Sequence, residues 1–139
     1  QTKVAMHDLL RAIESARTLA VTSNKRTVLL AKQEDWTQGW TLFIDENDDG
    51  ELNGEETLKQ EKGALTKVKI DANTHVGKYV SFIGTGEGRK LGMNNTGAFQ
   101  VGTIKICPPT EGSGYALIFS RGGRTRVKTL TTTECDGFN

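Results

Sequence analysis

No apolar run in this 139-residue chain exceeds a few residues, so nothing approaches the ~20 apolar residues of a membrane-spanning helix, and no signal-peptide core is visible. The only two cysteines, Cys107 and Cys135, are far apart and have no histidine at ligand spacing, which excludes a zinc site of the paired C-x-x-C kind. The two histidines, His7 and His75, lack a G-x-S-x-G or comparable nucleophile motif for company. A hydrolytic triad therefore has no starting point, and both read as surface residues. The two prolines, Pro108 and Pro109, adjoin one another, so there is no Pro-rich linker; repeats and low-complexity tracts are also missing. Charge of one sign is scarce as well: 18 Lys and Arg against 17 Asp and Glu leave a formal +1. The whole molecule projects no long-range field that would by itself announce a nucleic-acid or membrane partner.

What is present suits one domain over residues 1–139, since 35% apolar residues suffice for one core and a chain of this length is short for two. The 16 glycines, about 12% against a usual share of about 7%, point to tight turns between short strands. Although balanced in total, charge is segregated. Acidic residues gather between Asp45 and Glu61, while Arg121, Arg124, Arg126 and Lys128 crowd one stretch near the C-terminus. For the cysteines a disulfide is the simpler reading; closing a loop of about 28 residues would stabilise the fold by roughly 3 to 4 kcal/mol in an oxidising compartment. Two unpaired cytosolic thiols are the alternative. Gln1 is an unusual start, and a chain that runs from it straight into a helix is expected to have lost something upstream.

From Val4 to about Asn24, Leu9, Ile13, Ala16 and Ala20 recur at helical spacing, with Leu10 and Val21 broadening the stripe and Ser23-Asn24 suited to a stop. After Lys25 the period becomes two. Thr27 to Ala31 and Trp40 to Ile44 read as strands, followed by candidates at Ala64 to Asp71, Lys78 to Ile83, Gly97 to Cys107, Tyr115 to Ser120 and Arg124 to Leu130. No second helix is predicted. The plan is α+β, one long N-terminal helix packed on antiparallel sheet over a β-rich region from 27 to 139. Trp36, Trp40, Phe43, Phe82, Phe99, Tyr115 and Phe119 fall within or beside the strands, where core and cross-strand packing is expected.

Two motifs suggest ligands. Asp45 to Glu56 fits the calcium-loop template D-x-[DN]-x-[DN]-G-x5-E, with Asp45, Asn47, Asp49 and Glu56 as side-chain ligands, Glu51 through its carbonyl and Asn53 directly or through water. Gly50 would allow the sharp turn. The preceding residues alternate as a strand rather than a helix, however, and such residues also make ordinary turns. In the second motif, Arg124, Arg126 and Lys128 alternate and would project from one strand face, as suits a phosphate backbone; Arg121 and the Gly122-Gly123 turn would add contacts. The competing reading is a charged edge strand that resists sheet-to-sheet association. Gly84 to Gly88 has Arg89 where a nucleotide loop needs its third glycine and no helix pattern after it, so it reads as a turn.

The order of features resembles a known family. Ala12 to Arg17 followed by Ser23 to Val28, then Gly39 to Asn47, then Gly97-Ala98-Phe99, and finally Gly123-Arg124-Thr125-Arg126 resemble the head domain of FimT/FimU-type minor type IV pilins, related to the GspH minor pseudopilins of type II secretion. The resemblance covers nearly the whole chain. It implies a non-enzymatic filament subunit whose N-terminal helix continues upstream into a hydrophobic half, held in the membrane before assembly and packed against other major and minor pilins afterwards. It also implies a head domain, expected to be monomeric, in the periplasm and later on an extracellular pilus. FimT-like proteins carry a G-R-x-R motif implicated in capturing double-stranded DNA for natural transformation, and Gly123 to Arg126 is a literal match. The resemblance leaves three roles open: a minor pilin that primes assembly, a pseudopilin of type II secretion, and a dedicated extracellular DNA receptor.

Overall fold

The computed structural model describes residues 1–45, 58–91 and 98–136. Thr2–Ser23 form a 22-residue helix, α1, that buries Ala5, Met6, Leu9, Ala12, Ile13, Ala16 and Ala20 as one stripe. Four of these seven are alanine, which lets the first sheet approach closely: the Thr27 hydroxyl donates to the Ala16 carbonyl at 2.8 Å. Asn24 ends the helix in the left-handed conformation (φ 53°, ψ 43°), its N–H bonded to the Ala20 carbonyl, as its residue type leads one to expect. The stripe is narrower than the sequence suggests. Val21 is 46% exposed because each residue turns the helix by about 100°, which carries Val21 away from buried Ala20.

The strands that follow are β1 (Thr27–Ala31), β2 (Trp40–Ile44), β3 (Leu58–Lys62), β4 (Lys69–Ala72), β5 (Tyr79–Phe82), β6 (Gly102–Cys107), β7 (Gly114–Phe119) and β8 (Thr125–Leu130). They make two four-stranded antiparallel sheets, ordered β3-β2-β1-β5 and β4-β6-β7-β8. The α1 stripe joins Leu29, Leu42, Val80 and Phe82 of the first sheet with Ile104, Ile106, Leu117 and Phe119 of the second in one core. Between β1 and β2, buried Trp36 begins a 3-10 turn and donates its indole N–H to the Val76 carbonyl at 2.9 Å.

The reading of the strands needs three corrections. β3 was not foreseen, since Leu-Lys-Gln-Glu-Lys has no buried face and holds its place through pairing with β2 alone. The strand expected over Ala64 to Asp71 is confined to Lys69–Ala72, because Lys67 has φ 60° and the Leu65 N–H turns aside to the Thr37 carbonyl. The strand expected from Gly97 starts only at Gly102; ahead of it, Phe99 makes a single bridge to Arg89.

A short helix also follows β8, contrary to the expectation of none. This is α2, Thr132–Asp136. It begins with a capping box: the Thr131 N–H donates to Glu134 Oε1 at 2.9 Å and the Glu134 N–H to Thr131 Oγ1 at 3.2 Å. The helix presents Cys135 to Cys107, and the two form the disulfide, with Cα atoms 5.9 Å apart. Together with Ala116, Leu130 and half-buried Ile118, this bridge forms a second apolar cluster, on the outer side of the second sheet.

Candidate nucleic-acid interface

β7 and β8 are joined by Arg121-Gly122-Gly123. The Gly123 N–H donates to the Ser120 carbonyl at 3.0 Å and the Ser120 N–H to the Arg124 carbonyl at 3.1 Å, the pattern of a three-residue hairpin loop closed by a glycine of positive φ. That glycine is Gly123, at φ 84°, and a side chain there would collide with the Gly86 carbonyl oxygen. The glycine of the G-R-x-R motif is thus required by its backbone, independently of any ligand.

Register sorts the cations. Leu117 opposes Ile104 on the core side, so Ala116 and Ile118 face outward, and with them their β8 partners Lys128 and Arg126. Lys105 lies across from Ala116 on the same face, and Asp71 beyond it. Arg126 and Lys128 therefore share the outer face, two of the three cations that the alternation assigns to one strand face. Arg124 precedes the strand and, with Gly123 and Thr125, lines a groove against α1. Arg121 is at the hairpin tip, its guanidinium carbon 5.4 Å from the centre of the Phe99 ring, while that of Arg89 is 3.8 Å from the same centre. Arg121, Arg124, Arg126 and Lys128 are all exposed.

β8 is also an edge strand, so the arrangement suits edge protection as well as phosphate contact. Lys128 has a carboxylate partner, Glu134 Oε2 at 3.5 Å. The backbone N–H of Thr131 holds the Glu134 carboxyl below its ordinary pKa, and Lys128 adds to the effect. The charge of Lys128 is thereby shared with α2, and Arg121, Arg124 and Arg126 carry most of the positive character.

Sequence reasoning missed one residue here. Arg17 of α1 is half-buried, and its Nε donates to the Gly86 carbonyl at 3.0 Å. Gly86 has φ 90°, and a Cβ there would come within 2.9 Å of Arg17 Nη2. The Gly84 to Gly88 turn therefore holds an arginine against the hairpin. No local pattern links residues 69 apart in sequence, so only the fold reveals it.

Of the candidate calcium loop, Asp45 alone is described. It is 4% exposed at the end of β2, where its N–H donates to the Arg26 carbonyl at 2.9 Å. Asn47, Asp49, Glu51, Asn53 and Glu56 lie outside the described residues. Among the described residues, no three His, Cys, Asp or Glu side chains are grouped to hold a metal, and no helix is long and apolar enough to cross a membrane. His7 and His75 are exposed.

Two crystal structures of the type IV minor pilin FimU from Pseudomonas aeruginosa share this fold. One, in space group P21, has a TM-score of 0.71 at 20% identity over 91% of this chain and 87% of that one. The other, in space group P65, has a TM-score of 0.69 at 20% identity over 91% of each chain. No curated protein sequence matches the chain. The family model described as type II transport protein GspH matches residues 5–123, and with the long helix leading into two antiparallel sheets this establishes that the chain belongs to the GspH family of minor pilins and pseudopilins.

Proposed function

We propose that the chain is the head of a minor type IV pilin that takes part in priming or assembling the pilus, and that its β7–β8 hairpin contacts the phosphate backbone of double-stranded DNA. The subunit works by contact rather than catalysis. An upstream continuation of α1 would anchor it in the inner membrane, with the head in the periplasm, and would later pack against other pilins in the extracellular filament. The Cys107–Cys135 disulfide accords with an oxidising compartment.

The observation that carries the DNA reading is the exposure of Arg121, Arg124, Arg126 and Lys128 along one hairpin tip and edge strand. A duplex carries one negative charge per ~1.7 Å of axis, so closely spaced guanidinium groups find phosphates whatever the base sequence. Engaging about three phosphates gives weak binding, micromolar or poorer, with a log–log salt slope near −3. In a filament, several subunits would add their contacts.

Fluorescence anisotropy of labelled duplex DNA, at low and near-physiological salt, tests this reading. Wild type should bind in a salt-sensitive manner, and Arg124→Gln/Arg126→Gln should bind far more weakly with a slope near −1. Absence of binding by wild type at low salt rules the DNA role out. The family description favours one other reading, a pseudopilin of type II secretion, for which the basic hairpin would be plain surface.

A further inference from the structure

A groove of about 450 Å³ runs between α1 and the hairpin turn, lined by Glu14, Arg17 and Thr18 on the helix and by Gly123, Arg124 and Thr125 opposite. From this geometry we infer that the groove seats a phosphodiester of bound nucleic acid, with Arg17 a phosphate-contacting residue beside Arg124. The inference rests on the DNA reading above and extends the site from the hairpin onto the helix.

Four observations carry it. First, Arg17 is fixed: one of its five N–H donors is spent on the Gly86 carbonyl, so the guanidinium is held in place at little further entropic loss while its other donors remain available for a two-pronged contact. Second, the structure is shaped to hold it there. Gly86 and Gly123 both have positive φ, and their missing side chains let the two turns close on the guanidinium, which comes within 3.2 Å of a Cβ placed at Gly123. Third, no carboxylate among the described residues pairs with Arg17, whereas Lys128 on the outer face is partly neutralised by Glu134. Fourth, the residues that line the groove include two arginines, Arg17 and Arg124, and one acid, Glu14, so an anion is attracted on balance.

Duplex binding measured between about 50 and 200 mM salt decides the matter. Removing one phosphate contact lowers the slope by about one, so the affinity lost over that interval should shrink by roughly 3.5-fold in Arg17→Gln. Arg11→Gln, on the same helix but outside the groove, corrects for the general effect of one lost charge. Because Arg17→Gln also loses the bond to Gly86, two exposed groove positions supply fold-neutral checks: Glu14→Gln should bind several-fold more tightly at low salt, and Thr18→Glu several-fold more weakly. If Arg17→Gln and Thr18→Glu weaken binding no more than Arg11→Gln does, and Glu14→Gln strengthens it by no more than Arg11→Gln weakens it, while Arg124→Gln/Arg126→Gln binds far more weakly, the groove is overturned and the hairpin reading stands. That outcome would leave the groove cations to some other anion, such as a carboxylate of a neighbouring subunit. Failure of wild type to bind at all overturns both.

Discussion

Gln100 shows how much one side chain can organise. It is 2% exposed, and its Oε1 accepts the Ser81 N–H at 2.8 Å while its Nε2 donates to the carbonyls of His75 at 2.7 Å and Tyr79 at 2.8 Å. Its own N–H is bonded to the Gly88 carbonyl at 2.8 Å, so this residue ties the edge of the first sheet to the turn that positions Arg17. Replacing it with leucine leaves the buried Ser81 N–H without an acceptor and should lower stability by at least about 2 kcal/mol, read from urea unfolding as a shifted midpoint at unchanged m. The sequence offered no hint of this role, because the partners lie 19 to 25 residues away and glutamine has no positional preference that would betray it. Gly123, by contrast, stood beside Gly122 as an evident turn. What could not be read was the reason it is glycine, namely the approach of Gly86 from another part of the chain.

Among the elements, α2 is the instructive case. Thr131-Thr132-Thr133-Glu134 spells a capping box, a local signal that was available in the sequence; five residues without an apolar period simply do not look like a helix. Thr131→Ala should cost about 1 kcal/mol, chiefly in this helix. Its dependence on pH follows from Glu134, whose folded pKa lies below the ordinary value because the Thr131 N–H and Lys128 favour the carboxylate. A depressed pKa means that the stabilisation is present above the ordinary carboxylate range and is lost as pH falls through the folded value. Hydrogen-exchange protection of the Cys135 amide, which is bonded to the Thr131 carbonyl at 3.0 Å, should therefore decline on acidification. The uncharged acceptor in Glu134→Gln should give a flat profile, and a flat wild-type profile would refute the assignment. The strands divide along the same line. β1, β2 and β5 carry buried, β-branched or aromatic residues and were legible, whereas β3 has neither face buried and takes its conformation from β2.

For the molecule as a whole, the helix-first α+β plan was legible because one stripe of 3.6-residue period gives way to period two at Thr27 and never returns at length. That the strands divide into two sheets sharing α1 was not legible, since pairing depends on contacts distant in sequence. The candidate DNA residues stood out by their spacing, which assigns Arg124, Arg126 and Lys128 to one strand face; that Arg124 precedes β8 and lines the groove against α1 was not legible. The disulfide joins residues 28 apart, and its replacement by Cys107→Ser/Cys135→Ser should lower stability by roughly 3 to 4 kcal/mol in denaturant titration. An unchanged midpoint would mean that the unfolded chain is already constrained in this region. The closed loop contains both β7 and β8, and hence the whole basic hairpin. A trypsin-like protease has its natural targets at the exposed arginines of that hairpin, and a single cut there would yield two polypeptides still bolted together through Cys107 and Cys135. Damage at this exposed hairpin would then appear only after reduction, as two bands where the intact-looking protein had run as one.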